Sequence, residues 1–293
     1  MKPAPFEYIR PSSIDEVCAL LAADEDARLI AGGQTLVPLM AMRLARPSLL
    51  IDIARIAELT FVHDEGDEIA IGAATRQCLV EHDAIVRAKL PLLAKVMPFI
   101  GHSATRARGT IGGSLANADP AAELALVAVT LGATMTYRDW TDTRIMPASE
   151  FFVGAMETAL PRTGCLVGVR FPVWRESRIG IGFHEVSARR SDFAFASAAA
   201  QVAFDENNVC TRLSVAVGAI ASVPKRLDSV EKALQGRHMA EDQIREAVEE
   251  AVAEIEPLSD PHASAEYRRR VAATLAVRAI MDAFGSVRDT HAR

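Results

Sequence analysis

The stretch Ile30-Ala31-Gly32-Gly33-Gln34-Thr35-Leu36 constrains the fold more than any other part of this chain. Arg28-Leu29-Ile30-Ala31 is a short apolar run of the kind found in buried parallel strands, and Leu49-Leu50-Ile51-Asp52-Ile53 is another. Between them Leu36 to Arg43 reads as a helix, with Pro38 in the first turn, where its missing N–H costs nothing. The three together make a βαβ unit whose glycine turn opens its helix. Such a turn offers backbone N–H groups to an anion, and glycine admits a phosphate where a Cβ would block it.

A second glycine pair lies in Thr110-Ile111-Gly112-Gly113-Ser114. A bare Gly-Gly is a bend more often than a ligand site, so the surroundings decide. Neither turn fits G-x-G-x-x-G or G-x-x-x-x-G-K-[ST], which disfavours a Rossmann nicotinamide site and a P-loop. Both are followed by side chains able to hydrogen-bond a pyrophosphate or a ribityl chain, Gln34 and Thr35 in one case, Ser114 and Asn117 in the other. Asp119 or Glu123 could take a sugar hydroxyl; Asp119-Pro120 reads equally well as a helix N-cap followed by proline. Two such turns suggest one long phosphate-bearing ligand.

The remaining chain is layered. Ser13 and Glu16 form a capping box before Ile14, Val17, Leu20 and Leu21, predicting a helix over 14–23. Residues 60–63 and 68–71 read as a hairpin, 80–100 as helix interrupted by Pro91, and 121–131 as an apolar helix. The segment 110–120 is too rich in small and turn residues to read as a regular element. Strands are expected at 133–138, 144–146 and 165–171, then two long antiparallel strands at 193–204 and 210–219, then helices near 226–234, 240–255 and 263–284. The fold class is α+β. Its expected units are 1–57, an N-terminal βαβ subdomain, 58–176, a second α/β subdomain, and 177–288, antiparallel sheet with helices.

Several functions are disfavoured. A formal charge of −6 with both signs interspersed argues against nucleic acid or an acidic membrane as partner. No apolar stretch reaches the roughly 20 residues of a membrane span, and the opening residues lack a signal-peptide core, so a cytoplasmic protein is expected. Cys18, Cys78, Cys165 and Cys210 are scattered without zinc or iron–sulfur spacing. No H-E-x-x-H or G-x-S-x-G occurs, so no catalytic or metal-ligating residue is assigned. Glu185, Arg189, Arg190 and Asp192 read as a structural ion-pair network.

At the two glycine turns the sequence resembles the FAD-binding medium subunit of the molybdenum hydroxylases, the family of carbon monoxide and xanthine dehydrogenases. Ala31-Gly32-Gly33-Gln34-Thr35-Leu36, continued by Pro38-Leu39-Met40, is similar to the family's first flavin motif, and residues 109–123 are similar to its second. Further likeness lies in Phe151-Phe152, Phe183-His184-Glu185-Val186, Asp192-Phe193-Ala194 and residues 264–268.

The resemblance implies FAD gripped between the two N-terminal subdomains. Leu29, Ile30, Ala31, Gly32, Gly33, Gln34, Thr35 and Leu36, with Thr110, Ile111, Gly112, Gly113 and Ser114, would cradle the pyrophosphate and ribityl chain. It also implies Ile100 and Gly101 against the flavin ring, Phe193 over its other face and Leu166 near the adenine or flavin. Glu123 stands where the family usually has aspartate, and His184 where relatives often carry lysine. Residues 103–108 depart from the family's amide-rich pattern.

The function implied by the resemblance is that of an electron-transfer subunit, needing no acid or base of its own. Its implied partners are a small subunit with 2Fe–2S clusters, a large molybdopterin subunit and an external acceptor, in a dimer of heterotrimers. The alternative is a stand-alone flavin oxidase or reductase, for which His184, Glu185 and Tyr267 are the acid–base candidates. Replacing Gly33 or Gly112 by a bulkier residue is expected to abolish FAD retention in a folded chain.

Overall fold

The computed structural model describes residues 2–289; Met1 and His291 lie outside the described residues. The chain opens with β1 (Glu7–Ile9), α1 (Ile14–Ala23), β2 (Arg28–Ile30), α2 (Leu36–Ala41) and β3 (Leu49–Asp52). Their strands form a parallel sheet in the order β1-β3-β2. β1 is an addition to the expected βαβ unit. Its three residues between Pro5 and Pro11 carry no readable alternation, and it exists through pairing Glu7, Tyr8 and Ile9 with Leu49, Leu50 and Ile51. Ser13 caps α1 by accepting from the Glu16 N–H at 3.3 Å. The Glu16 carboxylate returns to the N–H of Ser12 at 2.8 Å, one residue earlier than a capping box requires. Val17, Cys18 and Leu21 are buried in one cluster with Ile51, Leu59 and Cys165.

Next come the hairpin β4 (Val62–Asp64) and β5 (Glu68–Gly72), then α3 (Gln77–His82), α4 (Ala84–Lys89) and α5 (Pro91–Val96). Asp83 separates the first two of these helices and caps the second, its Oδ1 accepting from Ile85 and Val86 at 2.8 and 3.0 Å. Two more short helices, α6 (Ser103–Arg108) and α7 (Ile111–Asn117), come after them. The second stands where composition suggests irregular backbone. A capped turn overrides its two glycines, Thr110 Oγ1 accepting from the Gly113 N–H at 3.0 Å.

α8 (Glu123–Leu131) begins several residues after Asp119-Pro120. That pair is a turn, with Asp119 Oδ1 accepting from the Ala121 N–H at 2.9 Å, and not the cap of α8. β6 (Thr134–Arg138), β7 (Thr143–Pro147), α9 (Ala148–Phe151), β8 (Phe152–Gly154), β9 (Glu157–Thr158) and β10 (Cys165–Pro172) complete this part. The larger sheet is antiparallel, in the order β4-β5-β10-β6-β7.

The last third holds β11 (Ile179–Ser187), β12 (Ala194–Phe204), β13 (Cys210–Gly218) and β14 (Lys225–Arg226), antiparallel in chain order. α10 (Asp228–Leu234), α11 (Glu241–Ala253) and α12 (Ala265–Asp289) close the chain. β12 is buried on both faces. Ala196, Ala198, Ala200 and Val202 join the core that includes α12, while Ala199 joins the core that includes α8. From Leu124 to Leu131 every residue of α8 is buried, as expected of a helix apolar all round. It packs against β12 and β13 on one side and β10 and α5 on the other. No described helix is long and apolar enough to cross a membrane.

Candidate functional site

A cavity of about 740 Å³ lies where the turn after β2, the α6–α8 segment, β10 and the β11–β12 connection meet. It is lined by all the residues expected from the sequence to hold a cofactor except Ile111 and His184. Ile111 is fully buried beneath it. His184 points elsewhere, its Nε2 lying 2.9 Å from Asp282 Oδ2 of α12. Tyr267, on the same helix, does not line the cavity and has the Arg270 guanidinium 5.9 Å from its ring.

The two glycine turns meet directly. A Cβ on Gly32 would fall 2.5 Å from the Arg108 carbonyl oxygen and 2.8 Å from Gly109 Cα, so this glycine is required by backbone contact between the turns. Gly33 has φ +69°, which an L side chain rarely adopts, and its missing Cβ would stand 3.0 Å from Val37 Cγ2. Gly112 serves another purpose. Its Cβ would lie 2.7 Å from Ala73 Cα, so it lets α7 pack on the end of β5 and does not face open space. The expectation that a bulkier Gly112 leaves the chain folded is therefore corrected.

The turns also differ in what they offer an anion. In the second, the N–H groups of residues 111–114 are engaged: Ile111 donates to Thr75 O at 3.0 Å, Gly112 to Ala73 O at 2.8 Å and Ser114 to Thr110 O at 3.2 Å, beside the Thr110–Gly113 cap. In the first, the N–H groups of Gly32, Gly33, Gln34, Thr35 and Leu36 have no acceptor among the described residues. Thr35 stands at the N-cap of α2 without closing it through its hydroxyl. Five successive open donors at a glycine turn form a concave anion seat, the strongest indication of a phosphate. The Gln34 amide donates to Gly32 O at 3.2 Å, which holds the turn's shape.

The far wall is acidic. Glu123 lines the cavity with its carboxyl pushed up to about 7, first by burial and then by the Asp119 charge. Glu185 is likewise raised to about 7, by burial and then by Glu123. Its Oε2 is buried without a hydrogen-bond partner, and it forms no ion pair with Arg189 or Arg190 among the described residues. The expected ion-pair network is thus replaced by two carboxyls at the same seam, neither neutralised by a cation.

The structure also brings in residues that the motifs do not mark, among them Arg28, Gln77, Thr105, Met156 and Ser191. Gln77 is buried, with its Oε1 unpartnered and its Nε2 3.5 Å from the Thr110 carbonyl. Met156 arrives through the β8–β9 hairpin and lies 3.8 Å from Asn117 Nδ2 at its sulfur. Only tertiary packing carries such residues to the cavity. Phe193 is 70% exposed at the mouth.

A cavity with five open backbone donors at one glycine turn, small residues beside them and Phe193 at its mouth has the features of a dinucleotide site of non-Rossmann type, in an α+β protein. Residues 4–174 match the family described as "FAD binding domain in molybdopterin dehydrogenase", and residues 182–283 match "CO dehydrogenase flavoprotein C-terminal domain". The chain belongs to this family of FAD-binding medium subunits of the molybdenum hydroxylases, and its cofactor is FAD. It is an oxidoreductase subunit.

The beta subunit of caffeine dehydrogenase from Pseudomonas sp. is 35% identical over 96% of this chain and 95% of its own length. The alpha subunit of the 6-hydroxypseudooxynicotine dehydrogenase complex of Paenarthrobacter nicotinovorans is 36% identical over 99% and 98%. Among solved structures, a carbon monoxide dehydrogenase chain from Hydrogenophaga pseudoflava superposes with a TM-score of 0.94 at 32% identity, covering 98% of this chain and 100% of that one.

Proposed function

We propose that this chain is the electron-transfer subunit of a heterotrimeric molybdenum hydroxylase working in the cytoplasm. In this reading FAD accepts electrons from the 2Fe–2S clusters of a small subunit, which receives them from a large molybdopterin subunit, and passes them to an external acceptor. The observation that carries the reading is the row of five open N–H groups from Gly32 to Leu36 in a cavity of about 740 Å³.

The protein's own residues do the holding. Gly32 to Leu36 seat the pyrophosphate, Ser114 and Asn117 bond the ribityl chain, and Asp119 and Glu123 take sugar hydroxyls. The second turn contributes side chains and a rigid wall, since the N–H groups of residues 111–114 are already used. Ile100, Gly101 and Phe193 enclose the ring, and the cofactor supplies the redox chemistry.

The medium-chain carbon monoxide dehydrogenase relatives, 33% identical over 96% of this chain in the case of Afipia carboxidovorans, support the assembly. A stand-alone oxidase would need an acid or base at the ring. None of its candidates, His184, Glu185 and Tyr267, lines the cavity.

Anaerobic mixing of the purified assembly with its organic substrate should bleach the flavin absorbance only when all three subunits are present. Substrate-dependent bleaching in the isolated, FAD-loaded chain would show that it acts alone.

A further inference from the structure

We infer that Arg268, remote from the cavity, is a positioning residue that fixes two of its walls at once. The inference rests on the reading of the cavity as the FAD site. Arg268 sits near the start of α12 and is only 5% exposed. Its Nη1 donates to the Phe195 carbonyl at 2.6 Å and to the Ala219 carbonyl at 2.7 Å, while Nη2 reaches Asp260 Oδ2 at 2.6 Å.

Each carbonyl leads to the cavity. Phe195 lies two residues after Phe193, which stands at the mouth, and its ring stacks on His262 with centroids 6.2 Å apart and planes within 12°. Ala219, held at φ +64°, donates its N–H to the Pro120 carbonyl at 2.9 Å. Pro120 lies between Asp119 and Glu123, both of which line the cavity.

One guanidinium therefore anchors the start of β12, directly after Phe193, and, through Ala219, the turn that carries the acidic wall. Arginine suits this role because its planar fork serves separate acceptors from one buried point. The Asp260 carboxylate holds the fork in place, and the His262 and Ala263 N–H groups, each 2.9 Å from Asp260 Oδ1, in turn hold that carboxylate.

The test uses Arg268→Met, Arg268→Lys and the exposed-side variant Asp260→Asn in the full chain. 4-Fluorophenylalanine at position 193 gives a fluorine NMR signal, and FAD dissociation is followed by recovery of flavin fluorescence. Arg268→Met is expected to shift or broaden the fluorine signal and to speed FAD loss about tenfold, the size of one lost charge-assisted hydrogen bond. Arg268→Lys should restore part of both, and Asp260→Asn, which leaves the guanidinium in place, should move both in the same direction by less.

A lowered melting temperature with an unchanged fluorine signal and unchanged FAD dissociation would overturn the inference. Should the wild-type chain bind no FAD, the flavin reading falls, while the fluorine signal still decides whether Arg268 sets the position of Phe193.

Discussion

At the scale of single residues, the two glycine turns do different work. Gly33→Ala forces an L residue into the left-handed region, at about 1–2 kcal/mol, and crowds Val37. It should weaken FAD binding by at least about tenfold in a calorimetric titration, with a small loss of stability; unchanged affinity would count against the anion seat. Gly112→Ala drives a Cβ into Ala73, so it should lower the denaturation midpoint markedly even without FAD.

Glu123 gives a pH prediction. Its carboxyl is raised from 4.5 to about 7 in the folded chain, so the folded state holds a proton that the unfolded state releases. The associated stability is fully present below the unfolded value and is lost as pH rises through about 7. Glu123→Gln should flatten the stability of the FAD-free chain between about pH 5 and pH 8. A slope identical to wild type would place the titrating group elsewhere.

At the scale of elements, α8 is the part on which the packing of both halves depends. Leu126 lies fully buried in the core that reaches from the larger sheet to β12 and β13. Leu126→Ala should cost about 3 kcal/mol and lower a single, shared unfolding transition; two separate transitions, with only one shifted, would refute the coupling.

Apolar periodicity makes α1, α8 and the long strands β12 and β13 readable from sequence, because their burial repeats along the chain. β1 is not readable, since three residues between prolines exist as a strand only through β3. α7 is hidden by composition: its glycines suggest a bend, and the Thr110 cap together with packing on Ala73 makes a helix. Much of the cavity lining is readable because residues 29–36 and 110–123 lie consecutively in the two motifs. Gln77, Met156 and the Arg268 clamp are not, because each reaches its place from a distant element. His184 illustrates the converse: it follows the buried Phe183 on β11, and strand alternation turns it toward Asp282 of α12.

At the scale of the molecule, a cleft shared by the two glycine turns, with the β11–β12 connection at its mouth, accounts for a protein that holds a redox cofactor. The parallel sheet supplies the anion seat, the larger sheet and α7 supply the opposing wall, and α12 fixes the mouth. Quantifying the flavin released on denaturation of the purified chain, and of the same chain carrying Gly33→Ala, tests this most directly. One FAD per wild-type chain and a clear deficit in the variant are the predicted result. Full FAD occupancy in the variant, or a wild-type chain that releases no FAD, would contradict it.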